Sequence, residues 1–195
     1  MAQNSRTATR IQLRKMVMTA LFAAFAYLCF AYLRIEIPMF GGFTGKIYIG
    51  HAFVILAGML LGPWYGAAAG AIGLTLSDLL AGYVTSALPT FFAKFLLGLA
   101  AGLFAHFFLR ENESKGKLAA HTAVVSALAV LVNVVTEPLI RYAGYRVIAG
   151  YDHAAALLKS TNCAISMALS GIVCIIIVTL IYTLVQKQFA RFFEQ

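Results

Sequence analysis

Three observations on this chain of 195 residues point to an all-α membrane protein, a bundle of six transmembrane helices with no water-soluble domain. The chain is 62% hydrophobic and 11% charged, whereas soluble domains carry about 25% charged residues. Its apolar residues come in long runs, near the roughly 20 residues that a helix needs to cross a bilayer. Its basic residues collect at the chain ends and between those runs, where they set topology. The net charge of +8 therefore speaks for lipid and not for nucleic acid.

The first helix is expected over residues 13–34. A basic start (Arg6, Arg10, Arg14, Lys15) followed by an apolar run also resembles a secretory signal. The run is long for one and no small-x-small cleavage site follows it, so a retained helix is expected. The segment EIPMFGGFTGK comes next, with Pro38 and three glycines that break helices and allow turns. A short second helix is expected over 48–62, ending at the Gly62-Pro63 pair, and a third over 64–82. The stretch YVTSALP reads as a turn into a fourth helix, 90–109. RENESKGK is the strongly charged loop; a fifth helix follows over 118–140. RYAGYRVIAGYDH reads as a longer polar segment before the sixth helix, 155–186.

Six spans place both termini on one side. With the termini inside, the inner segments hold Arg6, Arg10, Arg14, Lys15, Arg110, Lys115, Lys117, Lys187 and Arg191. The outer segments hold Arg34, Lys46, Arg141, Arg146 and Lys159. That bias predicts cytoplasmic termini, with the loops after helices 1 and 5 outside. Ordered loops of that length often carry binding groups.

Helix 3 presents Gly62, Gly66 and Gly70 at spacing four, with Leu74 and Asp78 on the same row; helix 4 presents Lys94, Gly98, Gly102 and His106. Small residues let helix backbones approach closely in lipid, so these two helices are expected to pack as a hairpin. Helix 1 carries an Ala-x-x-x-Ala row at Ala20 and Ala24. Spacing alone serves internal packing and docking of another subunit equally well.

Charges at membrane depth are costly and mark either a pair or a function. Asp78 and Lys94 stand eight residues either side of Ser86, which predicts similar depth and close approach, as an ion pair or as ligand contacts. Asn133, Glu137 and Arg141 form one polar row on helix 5, and Asn162, Ser166 and Ser170 form another on helix 6. Facing each other, the two rows make a polar pocket under the outer ends of the helices; the plainer reading is hydrogen bonding between helices. His51 at the start of helix 2 is a further candidate. Phe43, Tyr48 and Tyr83, among the aromatic residues at this end, either belong to the interfacial belt or stack on a planar ligand.

The three cysteines, Cys29, Cys163 and Cys174, lie inside apolar runs and read as small core residues rather than disulfide partners or metal ligands. No metal site and no cofactor are expected. The sequence has no nucleophile elbow and no phosphate-cradling loop, so ATP hydrolysis by this chain alone is not expected.

The stretch IYIGHAFVILAGMLLGPWYGAAAGAIGLTLSDLLAGY, followed by FFAKFLLGLAAGLFAH, resembles the substrate-binding S components of energy-coupling factor (ECF) vitamin transporters. The likeness is to the branch for riboflavin-like, pyridoxine and hydroxymethylpyrimidine uptake. It covers residues 10 to 110 and rests on an LGP turn, a Gly/Ala-rich helix with an acidic residue near its end, and a Lys in the next helix. The resemblance implies six helices with cytoplasmic termini, and a vitamin site in the outer half beneath the first outer loop. It implies docking on a membrane T subunit that works with two cytoplasmic ATPases, and it assigns the contact to Ala20 and Ala24. It also implies that the S component reorients bodily in the membrane. His51 departs from the pattern, standing where an acidic residue is usual.

The chain is thus expected to be the substrate-specificity subunit of an ECF-type importer, not itself an enzyme, for a small water-soluble vitamin or precursor. A pyridoxine-type or hydroxymethylpyrimidine-type heterocycle is favoured. Phe43, Tyr48 and Tyr83 would cover the ring, and His51, Asp78, Lys94, Asn133, Glu137, Asn162 and Ser166 would supply polar contacts. A self-sufficient secondary transporter and an intramembrane enzyme are the alternatives.

Overall fold

The computed structural model describes residues 2–109 and 114–194, with side chains described over 9–109 and 114–192. Arg110 and the first half of the charged loop lie outside the described residues, as does the side chain of Arg6.

Six α-helices form the described chain: α1 (Ala2–Tyr32), α2 (Gly50–Leu61), α3 (Pro63–Leu80), α4 (Val84–Phe108), α5 (Lys115–Val147) and α6 (His153–Glu194). Four contain stretches long and apolar enough to cross a membrane by length and composition: Thr9–Tyr32, Val84–Phe108, Lys115–Val147 and His153–Phe192. The other two helices are shorter. At about 1.5 Å per residue, the 12 residues of α2 reach about 18 Å, well under the roughly 30 Å of a hydrocarbon core.

Burial accounts for that short helix. Ten of its 12 residues are buried, and it packs on α1, α3, α4 and α6. A helix apolar on all sides belongs in the interior. Ala52, Val54, Ile55 and Leu56 make the centre of the main core, together with Leu74, Leu97, Val125 and Val178 from the surrounding helices.

The connection between α1 and α2 differs from the expected turn. Ile35–Pro38 (β1) and Thr44–Ile47 (β2) form an antiparallel hairpin in the register Ile35↔Ile47, Glu36↔Lys46, Ile37↔Gly45 and Pro38↔Thr44. The residues Phe40–Gly42 make a single 3-10 turn between the strands. The chain is therefore not wholly α. The alternation in IEI and KI, with β-branched residues at every second position, supports short strands, and the glycines serve the bend between them. The hairpin leans on α6.

Four helix limits also differ from those expected, and the first is that α1 begins at Ala2, not 13. α4 begins at Val84, not 90, so Ser86 is helical and the α3–α4 turn is confined to residues 81–83. α5 does not stop at 140 but continues through Pro138 to Val147. Most of the expected outer loop is therefore helix, and residues 148–152 alone lead to α6. α6 runs past 186 to Glu194. Proline removes one backbone bond, and in a membrane bundle the neighbouring helices hold the turn together. Pro89 inside α4 packs against Gly144 of α5, which leaves no room for a larger residue at 144.

Glycine sets two close approaches. Gly62, between α2 and α3, has φ 106°, a left-handed value that favours glycine, and Pro63 at the next position starts α3. On the packed faces of α3 and α4, a Cβ on Gly66 would fall 2.9 Å from the Gly98 carbonyl oxygen, and one on Gly98 would overlap the Gly66 carbonyl. Gly98→Val is expected to force these helices apart and lower stability by about 1–3 kcal/mol, the usual range for overpacking. An unchanged melting temperature in detergent would show that the contact is looser than described.

Candidate functional site

A cavity of about 320 Å³ opens at the hairpin end of the bundle. Its walls come from the end of α1 (Phe30), the hairpin (Glu36, Phe43, Thr44, Gly45, Lys46) and α2's approach (Tyr48). α3 and its turn add Asp78 and Tyr83, α4 adds Ser86, α5 adds Arg141 and Tyr145, and α6 adds Lys159, Asn162, Cys163, Ser166 and Met167.

The aromatic walls are well fixed. Tyr48 is buried, meets Phe30 edge-on at 4.9 Å, and lies 4.4 Å from the His51 ring. Its backbone N–H approaches Ser170 Oγ of α6 at 3.4 Å. Two lysines lie against aromatic faces at the cavity wall. Lys46 Nζ is 3.1 Å from the Tyr83 ring centroid and 5.4 Å from that of Phe30. Lys159 Nζ is 4.3 Å from Tyr151, 4.9 Å from Tyr145 and 5.2 Å from Phe43, and it donates to Tyr151 Oη at 3.1 Å. Burial pulls the Lys46 ammonium below the ordinary lysine range, opposed by Tyr83 and Asp78.

Beneath the cavity lies a buried charge network. Arg141 bridges it: Nε donates to Glu137 Oε1 at 2.9 Å, one Nη donates to Thr90 Oγ1 at 2.9 Å, and Asp78 Oδ2 lies 3.9 Å away. Thr90 Oγ1 donates to Asp78. Deeper still, Lys94 is wholly buried and paired with Glu137. Its ammonium also meets His51 Nε2 at 2.7 Å and Asn133 Oδ1 at 3.3 Å. An ammonium has three protons, shared among these acceptors and Met167 Sδ at 3.7 Å; with the ammonium donating, His51 Nε2 is the acceptor and its Nδ1 carries the proton. Asn133 Nδ2 adds a bond to Glu137 at 3.1 Å.

The expected site residues therefore separate into two layers. Phe43, Tyr48, Asp78, Tyr83, Asn162 and Ser166 line the cavity. His51, Lys94, Asn133 and Glu137 are not on its wall; they form the interior network under Arg141. The expected approach of Asp78 to Lys94 takes a different form. Asp78 meets Thr90 and Arg141, while Lys94 meets Glu137. The two are members of one network, linked by Arg141 and Glu137, and do not form an ion pair. The reason is the early start of α4, which shifts the turn from Ser86 to residues 81–83 and removes the symmetry that placed them opposite each other.

On α6, Asn162 Nδ2 donates to the Phe40 carbonyl at 2.8 Å, tying the helix to the hairpin's turn. Asn162 Oδ1 and Ser166 Oγ are buried without a hydrogen-bond partner, although both residues line the cavity. A buried polar atom left unpaired costs free energy, and a solute in the cavity is placed to satisfy both.

By sequence Arg141, Lys46 and Lys159 are topology charges, with Arg141 also in the α5 row, and all three line the cavity. The spacing of Lys159, Asn162 and Ser166 at i, i+3 and i+7 was the available signal for Lys159. Lys46 had none, because its place depends on the hairpin register. Cys163 also lines the cavity, and all three cysteines are free.

A second concavity, about 520 Å³ and almost wholly apolar, runs along the outer faces of α1 and α3. Ala20 and Ala24 lie in its floor, flanked by Met16, Tyr27, Tyr65 and Ile72.

Comparison with known proteins bears on both features. Residues 10–187 match the family model described as ECF-type riboflavin transporter, S component. Among solved structures, ThiT from Listeria monocytogenes matches with a TM-score of 0.59 and 17% identity, over 93% of this chain and 98% of that one. At that identity the likeness speaks for a shared fold. No curated protein matches.

Proposed function

The chain belongs to the ECF-type riboflavin transporter S component family, and from that premise we propose that the cavity at the hairpin end captures a small water-soluble vitamin or precursor for import. The observation that carries this reading is the pairing of aromatic walls with two buried, unpartnered polar atoms, Asn162 Oδ1 and Ser166 Oγ. Ligand pockets combine apolar walls with a few placed polar groups in this way.

The cavity's 320 Å³ is at the low end of the roughly 300–1,000 Å³ typical of ligand pockets. That size favours a single-ring heterocycle, of pyridoxine or hydroxymethylpyrimidine type, over the tricyclic, polyol-bearing flavin of the family description. Tyr48, Tyr83 and Phe43 cover the ring, and Asn162, Ser166 and Asp78 meet its polar edge.

In this reading all six helices lie in the membrane, α2 and α3 as inner members, with both termini cytoplasmic and the hairpin outside. The apolar groove at Ala20 and Ala24 receives the T subunit, and two ATPases supply the energy that this chain does not. Family membership speaks against a self-sufficient transporter or an intramembrane enzyme.

Mass spectrometry of the small molecule that co-purifies with the full chain tests the assignment. A single-ring vitamin or precursor is the expected result. Riboflavin would overturn the ring-size argument, and uptake into liposomes without T subunit and ATPases would overturn the S-subunit role. Asn162→Ala is expected to weaken binding of the co-purified solute about tenfold, equivalent to about 1.4 kcal/mol, by calorimetry. Unchanged affinity would remove Asn162 from the site.

A further inference from the structure

We propose that the solute is an anion: a planar heterocycle with one carboxylate or phosphate group, held at the cavity mouth by Lys46 and Lys159, and with a hydrogen-bond donor reaching Asn162 and Ser166. The inference rests on reading this cavity as the binding site, and it names the substrate's charge and orientation.

The carboxylates at this end of the molecule are already engaged. Glu36 pairs with Arg34 at 3.3 Å, Asp78 with Thr90 and Arg141, and Glu137 with Lys94 and Arg141. Asp152 accepts the Ala155 N–H at 2.9 Å at the start of α6. Two cavity-lining ammoniums are left over. Among the described residues, no carboxylate lies within 4.0 Å of Lys46 or Lys159.

Neither lysine extends freely into solvent. Both are half-buried and are held over ring faces, Lys46 on Tyr83 and Lys159 on Tyr145 and Tyr151. A ring face attracts a cation without neutralising its charge. The arrangement therefore keeps two positive charges at the wall of a partly desolvated cavity, where a charge-assisted bond to an anion is stronger than in water.

The second observation is independent of charge. Asn162 Oδ1 and Ser166 Oγ are buried, unpaired and on the cavity wall. Along α6 the order is Lys159, Asn162, Ser166, so their backbone positions spread over about 10 Å of the helix axis at 1.5 Å per residue. Asn162 Oδ1 only accepts hydrogen bonds. A ring with an anionic group at one end and an N–H or O–H at the other would meet the lysines and these two atoms from one position, with Tyr48 and Tyr83 along its faces.

Matched probe pairs test this on the full chain in neutral detergent: pyridoxine against its ring-carboxylate counterpart, and hydroxymethylpyrimidine against its phosphate monoester. By calorimetry, the anionic member of at least one pair is expected to bind about tenfold tighter. The pair that shows this identifies carboxylate or phosphate. Lys46→Gln and Lys159→Gln should each lower the anionic member's affinity more than the uncharged member's and so reduce that preference, with thermal unfolding in detergent reporting that the variants fold. Equal affinity within both pairs, or lysine variants that weaken both members alike, would overturn the inference and leave the binding site standing. Binding by none of the four probes would overturn the single-ring reading itself. A preference that vanishes when anionic lipid is added would assign the two lysines to lipid headgroups and also overturn the proposal.

Discussion

Glu137→Gln should lower the stability of the folded protein by about 3–5 kcal/mol, the cost of breaking a buried ion pair from one side. Glu137 has no exposed surface, and it faces Lys94, Asn133 and Arg141 at once. Glutamine has nearly the same shape, so packing is preserved. What changes is charge: the wholly buried Lys94 ammonium loses the one carboxylate that pairs with it among the described residues, and Arg141 keeps Thr90 at 2.9 Å and Asp78 at 3.9 Å. Thermal unfolding in detergent should show a large drop. Lys94→Met should cost less, because Glu137 retains Arg141 at 2.9 Å. The double variant Lys94→Met with Glu137→Gln should recover part of the loss, since neither buried charge is then left alone. A single variant Glu137→Gln that melts at the wild-type temperature would mean that the network is not holding α2, α4 and α5 together. Ligand affinity should fall as well, because Glu137 positions Arg141 at the cavity floor.

Ala24→Trp is expected to abolish ATP-driven uptake while leaving ligand binding by the isolated chain unchanged. Ala24 is exposed on α1, in the floor of the 520 Å³ apolar groove shared with α3. In lipid there is no hydrophobic drive to pair helices, and association depends on close backbone approach across small residues. An indole at position 24 fills the groove and holds any partner helix away. The substituted face is outside the main core, so the fold and the cavity at the hairpin end should be untouched. Co-purification of the T subunit should be lost, and Ala20→Trp, one turn away, should behave alike. Uptake that persists in both variants would move the docking surface elsewhere.

Ala20, Ala24 and Glu137 differ in how much of their role the sequence shows. Ala20 and Ala24 stand out as a spacing on a helix face, and they do share one groove floor. Glu137 stood out too, as an acid at membrane depth beside a proline, with Asn133 and Arg141 on the same row. Its role did not. The row left ligand contact and hydrogen bonding between helices both open, and the structure puts its lower members under the cavity and only Arg141 on the lining. Lys46 was counted only as a loop charge until the pairing Glu36↔Lys46 placed it on the cavity wall.

Composition and run length were enough to dictate a lipid-embedded helical chain, because the choice of solvent depends on sums over side chains and not on their arrangement. Helix periodicity was likewise enough to group Asn133 with Glu137 and Arg141, or Asn162 with Ser166 and Ser170, since neighbours three and four apart share a face in any helix. Partners across helices were decided by packing. Lys94 meets Glu137, 43 residues away, and not the nearer Asp78, because the α3–α4 turn lies earlier than the breaker residues suggested and α5 passes through Pro138 without ending. Charge pairing inside a bundle follows the relative rotation and height of whole helices, and those are fixed by small residues in close contact, such as Gly66 against Gly98, rather than by anything local to the charges themselves.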